Sequence, residues 1–476
     1  MSAPITIRDA MTDPALFGAM FGSDSFAAWR ALLAAYYGLP LTSEEWATLK
    51  ALTGREGLPE NEFGELWMAI GRRGGKSQAA ALIAVYEALF RDHRDKLAPG
   101  EIATVMCIAA DRKQARAVMR YVSGLVDGNA MLKKAVIRET TEAIEFDNSS
   151  AIEVHTASHR AVRGYTLSCA ILDEIAFWHS EGANPDKEIV TGLRPGLATL
   201  GGKLVGLSSP YAKRGVLWDT FKRHYGGDSP RILVAQAPTL TMNPTLDPAI
   251  VEQALEEDRE AAQAEYLAQF RSDIASFVDI GLLEDATRPK PLELPPASGV
   301  TYSAFVDPAG GGKDEFTLSI GHIEGDHAIT DLVRGQNGSP AQIVAEYAAI
   351  LKRYGINRVT GDRYAGRWPR DEFQTYGIAY DVSEMDRSAL YLEFLARLNS
   401  GRAELPPCEK TIRQFAGLER RTSRSGRDSI DHPPGGHDDR ANAVAGVVAH
   451  MTQRRGSVGM ILRKRHQNRL NGQPMF

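Results

Sequence analysis

Between about residues 61 and 235, short apolar runs alternate with stretches of helical periodicity. Leu66-Trp67-Met68-Ala69-Ile70, Ile102-Ala103-Thr104-Val105-Met106-Cys107-Ile108, Ser168-Cys169-Ala170-Ile171-Leu172 and Lys203-Leu204-Val205-Gly206-Leu207 are continuous runs rather than every-second-residue patterns. Such runs predict strands buried on both faces. Helical segments lie between them, one covering Gln78 to Ala84 and one starting near Asp111, and this alternation predicts a parallel sheet sandwiched by helices. The stretch from Ala135 to His155 predicts an inserted β-hairpin turning at Asp147-Asn148-Ser149-Ser150. Upstream, residues 1–60 read as short helices, with Phe26 to Leu33 periodic and Thr42-Ser43-Glu44-Glu45 a helix start, in a segment suited to a lid or a docking role.

The later half has a different pattern. A helical stretch over about 250–270 leads into Pro289-Lys290-Pro291-Leu292-Glu293-Leu294-Pro295-Pro296, which reads as a linker. Beyond it, Tyr302 to Val306 and Phe316 to Ile320 predict paired strands, Val359-Thr360-Gly361 predicts another, and Ala441 to His450 predicts an apolar helix.

The turns between these elements carry the chemistry. Gly71-Arg72-Arg73-Gly74-Gly75-Lys76-Ser77 joins an expected strand to an expected helix, the order of a phosphate-binding loop. Glycines let backbone N–H groups approach phosphate oxygens, a lysine reaches the β- and γ-phosphates, and a hydroxyl serves Mg²⁺. The pattern G-x-x-x-x-G-K-[ST] puts its first glycine where this chain has Ile70, so the loop is a deviant form with Gly71 displaced by one. About one hundred residues on, the run ending at Leu172 is followed by Asp173 and Glu174. An aspartate at a strand tip suits the Mg²⁺ shell and the next glutamate suits activation of the attacking water. Alternatively Asp173 caps a helix.

A second acidic set follows the linker. Asp307 and Asp362 end strands, and His437-Asp438-Asp439-Arg440 opens the last helix. Three such ends can meet at one sheet edge, and carboxylates so placed suit a phosphodiesterase using two Mg²⁺ or Mn²⁺ ions about 4 Å apart. Taken singly, Asp307 and Asp362 are also good turn formers and Asp438 a good cap. Their order matches an RNase H-like arrangement.

Composition narrows the class. A chain of 476 residues calls for two or three domains. Its 43% hydrophobic and 24% charged residues are ordinary for a globular protein. Three isolated cysteines, Cys107, Cys169 and Cys408, point away from disulfides and structural zinc. No signal peptide or membrane span is visible, so the expected location is cytoplasmic with no membrane partner. The net charge of −5 argues against a uniformly basic nucleic-acid binder, but basic tracks occur locally: Arg363, Arg367 and Arg370 with Tyr364 and Trp368, the cluster Arg413 to Arg427, and the tail after Met451. No feature suggests base-specific readout.

An arginine-containing phosphate loop, a strand ending in Asp-Glu, Ser208-Ser209-Pro210 after the next strand, and then an aspartate-bearing RNase H-like region resemble, in that order, the large terminase subunit of tailed phages. The resemblance spans most of residues 60–450 and implies an α/β chain, a P-loop ATPase domain with a parallel sheet followed by an RNase H-like nuclease domain. The expected organisation is a helical segment (1–60), the ATPase (61–235), a helical lid or linker (236–297), the nuclease (298–450) and a basic tail (451–476). The resemblance implies a motor that hydrolyses ATP to translocate double-stranded DNA into a procapsid through a portal protein, and an endonuclease that cuts concatemers. Implied partners are a small terminase subunit, which would choose the site, and further copies in a homo-oligomeric ring, a pentamer, docked transiently on the portal in the host cytoplasm and absent from the mature virion. Carried to this sequence, Gly71, Gly74, Gly75, Lys76, Ser77 and Asp173 would hold ATP and Mg²⁺, and Glu174 would act in hydrolysis. Arg72 or Arg73 would sense the γ-phosphate, Ser208 and Ser209 match a coupling motif, and Arg160 or Arg163 matches an arginine finger given to a neighbouring subunit. The nuclease ions, Mg²⁺ or Mn²⁺, would be held by Asp307, Asp362 and Asp438, with Asp439 a fourth candidate and Asp314 a loop residue. Two features depart from the family pattern: the shifted glycine, and Ser-Ser-Pro where many members have another small hydroxyl triplet. Other classes keep part of this chemistry, among them an ATP-dependent helicase-nuclease of DNA repair and a packaging docking component with a silent nuclease. The first lacks a second motor domain here, and the intact acidic set argues against the second.

Overall fold

The structure, a computed structural model, describes residues 4–157, 162–178, 185–309, 314–362, 367–422, 428–433 and 436–452. The chain divides into two compact units, Met1–Asp273 and Ile274–Phe476. This division falls inside the segment expected to link the domains: helices up to Glu265 pack with the first unit, and Leu283 lies in a core of the second.

The first unit is built on an eight-stranded sheet. Its strands are β1 (Glu65–Ile70), β2 (Ala103–Ala109), β3 (Val136–Glu139), β4 (Ala143–Phe146), β5 (Ser150–Thr156), β6 (Leu167–Asp173), β7 (Lys203–Ser208) and β8 (Ile232–Ala237). They lie in the order β3-β4-β5-β2-β6-β7-β1-β8, parallel from β5 to β8. Continuous apolar runs feed both faces: Leu66, Met68 and Ile70 enter one core with Val105 and Cys107, while Trp67 enters the opposite core with Met106 and Ile108. The expected hairpin is a three-stranded meander instead. An additional turn intervenes at Thr140, whose hydroxyl accepts from the backbone N–H of Glu142 and Ala143, and the chain reverses there before the turn at Asp147–Ser149.

The N-terminal helices are core elements of this unit. Helix α1 (Ala27–Tyr36) buries eight of its residues, six of them in the same cluster as helix α2 (Lys76–Leu89).

The second unit carries a six-stranded sheet of β10 (Tyr302–Asp307), β11 (Phe316–Glu324), β12 (His327–Gln336), β13 (Arg358–Gly361), β14 (Ala379–Val382) and β15 (Ala403–Glu404), after a short β9 (Ile274–Ser276). The order is β14-β13-β10-β11-β12-β15, with β10, β11 and β12 antiparallel and β13 and β14 parallel to β10. This is the RNase H-like strand order. A small sheet joins β9 to β16 (Glu419–Thr422) and β17 (Asp428–Asp431). Helix α3 (Arg387–Asn399) and a final helix over residues 439–452 pack on the face bearing Phe305, while Ala304 and Val306 face the opposite core. The final helix approaches β10 at a glycine: a Cβ on Gly446 would lie 2.5 Å from the Phe305 ring.

Two candidate active sites

In the first unit, β7 lies between the loop-bearing β1 and the acid-bearing β6, so the tips of three parallel strands converge. The loop after β1 turns sharply, with Arg73 at φ 65° and Gly75 at φ 88°. Gly75 precedes α2 in a left-handed conformation that a side chain disfavours, and the Trp29 indole N–H donates to the Gly74 carbonyl at 2.9 Å, bracing the turn from α1. The displaced glycine has a packing reason: a Cβ on Gly71 would lie 2.6 Å from the Tyr266 carbonyl oxygen and 2.8 Å from the Thr239 nitrogen.

Lys76, 6% exposed, is folded into its own loop. Its Nζ donates to the carbonyls of Ile70 (3.1 Å) and Gly71 (3.3 Å) and to Ser209 Oγ (2.9 Å), and stands 3.5 Å from Glu174 Oε1. Glu174 takes a left-handed backbone, φ 51°, uncommon for a non-glycine residue and frequent at functional sites. Its Oε2 accepts from Ser208 Oγ (3.0 Å) and from the Ser209 backbone N–H (3.1 Å). Ser208 and Ser209 thus join the lysine to the glutamate.

Asp173, 5% exposed, has a buried Oδ1 without a hydrogen-bond partner. Burial, with Glu174 beside it, pushes its carboxyl up to about 7 against the pull of Lys76. A partnerless carboxylate oxygen, glycine backbone and the early-helix hydroxyl of Ser77 are a donor set that fits a nucleotide with its Mg²⁺. Arg72 instead makes a forked pair with Glu265, both contacts at 3.0 Å, and Asn243 donates to the Arg73 carbonyl at 2.9 Å. The segment over 239–266 therefore lines the loop, a contribution invisible in sequence because nothing in its composition signals phosphate chemistry. Arg163 lines a cleft of about 520 Å³ with Lys187, Glu188 and Thr191. Arg160 lies outside the described residues.

In the second unit, Asp307 at the end of β10 and Asp362 just after β13 come together because their strands are parallel neighbours. Asn442 Nδ2 donates to Asp307 Oδ2 and to Asp362 Oδ2, each at 2.9 Å. Burial holds the Asp307 carboxyl well above the usual range, with the Asn442 hydrogen bond opposing and Asp362 adding to the rise.

Asp438, one turn before Asn442, faces α3. Tyr391 donates to its Oδ2 at 2.7 Å, and Arg387 Nη1 lies 3.3 Å from both of its oxygens. Asp439 points elsewhere: its Oδ2 accepts from the Glu315 N–H at 3.1 Å and belongs with Asp314 and His437 to a cluster whose ligand atoms all lie within 4.8 Å of one another. Asp314, expected as a plain loop residue, bonds His437 Nδ1 at 3.0 Å. The donors around Asp307 and Asp362 are hard oxygens that fit Mg²⁺ or Mn²⁺. Asn442, Tyr391 and Arg387 were not legible as site residues; the i+4 spacing of Asn442 from Asp438 was the available signal for the first.

Among the basic candidates, Trp368 packs edge-on against Phe316, and Arg413, Arg420 and Arg421 pair with Glu409, Asp428 and Glu419. Arg363, Tyr364, Arg424, Arg427 and the tail from 453 lie outside the described residues.

These two units define a P-loop-type α/β domain followed by an RNase H-like α/β domain. Residues 50–200 match the family model described as the terminase large subunit, ATPase domain. Among solved structures, the large terminase of bacteriophage HK97 is similar at 16% identity, with 88% of this chain and 99% of that one covered and a TM-score of 0.39. The large terminase of a thermophilic bacteriophage is similar at 13% identity, with 88% and 97% covered and a TM-score of 0.38. The large terminase nuclease of the thermophilic phage G20c is similar at 18% identity over 36% of this chain and 96% of that one, with a TM-score of 0.31. No curated protein matches the chain. No described helix is long and apolar enough to cross a membrane.

Proposed function

We propose that this chain is the motor subunit of a phage DNA-packaging machine, hydrolysing ATP to drive double-stranded DNA into a procapsid and cutting concatemers with a two-metal endonuclease. The observation that carries the reading is the convergence of Lys76, Glu174 and Ser209 at three adjacent strand tips beside the partnerless Asp173 oxygen. On nucleotide binding, Lys76 would exchange its carbonyl and hydroxyl acceptors for phosphate oxygens, Asp173 and Ser77 would hold Mg²⁺, and Glu174 would accept a proton from the attacking water. Because Lys76 leaves Ser209 in that exchange, the backbone N–H of Ser209 and the hydroxyl of Ser208 are the route by which Glu174 registers an occupied site. Bound Mg²⁺ supplies charge neutralisation. Arg163, or Arg160, would complete the site of a neighbouring copy in a ring on the portal, with a small subunit choosing the DNA.

In the second unit, Asp307, Asp362 and Asp438 would hold two divalent ions, which when bound would activate water and stabilise the leaving oxygen. Replacing Lys76 by Ala is expected to abolish ATP turnover and leave Mn²⁺-dependent plasmid nicking intact, and Asp307→Asn is expected to do the reverse. Paired ATPase and nicking assays on the two variants decide it: loss of both activities in either variant, or unchanged ATPase in Lys76→Ala, overturns the assignment.

A further inference from the structure

Arg387 occupies the acidic site of the second unit as a cation would. Its Nη1 lies 3.3 Å from both oxygens of Asp438, its Nη2 lies 3.8 Å from Asp362 Oδ2, and Asp431 Oδ1 is 3.9 Å away. It is the first residue of α3, where a basic side chain meets the unfavourable end of the helix dipole, so the carboxylates rather than helix electrostatics hold it there. The guanidinium is part-buried with a side chain 29% exposed, whereas Asp362 and Asp438 are deeply buried, so it reaches inward from the solvent edge to two desolvated charges. Asp362 Oδ2 is doubly engaged, since Asn442 also donates to it.

We propose that Arg387 is a guard cation for the nuclease site: it neutralises Asp362 and Asp438 in the metal-free protein, competes with divalent ions for them, and yields them when a DNA backbone phosphate takes the guanidinium. This rests on the nuclease reading above. The chemistry is an exchange of partners. A guanidinium forks onto a phosphate as well as onto a carboxylate, and a carboxylate that loses it is free for a hard cation. DNA arrival then assembles the metal site, and metal alone does so poorly.

The test is Mn²⁺ titration of the full chain, followed by the electron paramagnetic resonance of free Mn²⁺, with and without a short phosphorothioate duplex. Wild type should bind Mn²⁺ more tightly when duplex is present. Arg387→Gln should bind it about tenfold more tightly than wild type without duplex, the scale of removing one competing charge, and should lose the duplex dependence. Arg387→Lys keeps the charge but cannot fork across both carboxylates, so its affinity should fall between the two; it also serves if the Gln variant does not fold. Equal or weaker Mn²⁺ binding in the substituted protein overturns the guard role. Asp307→Asn separates the two readings: if it binds Mn²⁺ as wild type does, the ions sit elsewhere and the nuclease reading falls with the proposal. If it binds weakly while Arg387→Gln gains nothing, the guard role alone fails.

Discussion

At Asp173 a single side chain couples folding to function. Its carboxyl is raised by burial from 3.8 to about 7, so below pH 3.8 both folded and unfolded states hold the proton and the residue costs nothing. As pH rises from there the unfolded chain releases its proton first, stability falls, and above pH 7 the cost is fully present. In metal- and nucleotide-free protein, the melting temperature of Asp173→Asn relative to wild type should therefore climb between pH 5 and pH 8, by a few degrees for about 2 kcal/mol. A flat difference across that range in calorimetry would show that Asp173 is ionised throughout. Glu174 is a different case, because its carboxylate is held by Ser208, Ser209 and Lys76. Glu174→Gln keeps the shape and removes the base, so nucleotide should still bind while single-turnover hydrolysis slows by about 10²-fold or more. Turnover within a few fold of wild type would assign the base elsewhere.

At the scale of elements, both candidate sites depend on close approach between a helix and a strand. The final helix brings Asp438 and Asn442 to the acidic edge by packing on β10 through Gly446, where Phe305 leaves no room for a methyl group. Gly446→Ala should cost about 1–3 kcal/mol, seen as a lower urea midpoint. It should also weaken Mn²⁺ binding, since a helix lifted from β10 carries Asn442 off Asp307 and Asp362. Unchanged stability would mean that the helix adjusts without moving these groups. The comparable device in the first unit is the Trp29 bond to Gly74, by which an N-terminal helix braces the phosphate loop.

For the molecule as a whole, the prediction concerns copies of the chain. Arg163 lines a cleft with Lys187 and Glu188. If it serves a neighbour, Arg163→Ala should lose ATPase chiefly in the assembled ring, and mixing with Lys76→Ala should restore part of it at hybrid interfaces. An equal loss in dilute monomer would place the arginine in its own subunit's site.

The sequence by itself determined the parts whose signal is local. Continuous apolar runs marked β1, β2, β6 and β7 because strands covered on both faces need no polar alternation, and the loop glycines, Lys76 and the Asp173-Glu174 pair stood beside those runs. Local patterning also separated Asp307 and Asp362 as strand-end acids. It placed one turn where the chain makes two between β3 and β5, since Thr140 builds its turn with a hydroxyl and without glycine or proline. Only the tertiary structure decided which distant groups meet. The bracing of the loop by Trp29 and by residues 239–266, the bond from Lys76 to Ser209, and the approach of Asn442, Tyr391 and Arg387 to the acids all join positions far apart in the chain. Such contacts are set by strand order and helix packing, and a lone arginine, tyrosine or asparagine carries no mark of the partner that folding will bring to it.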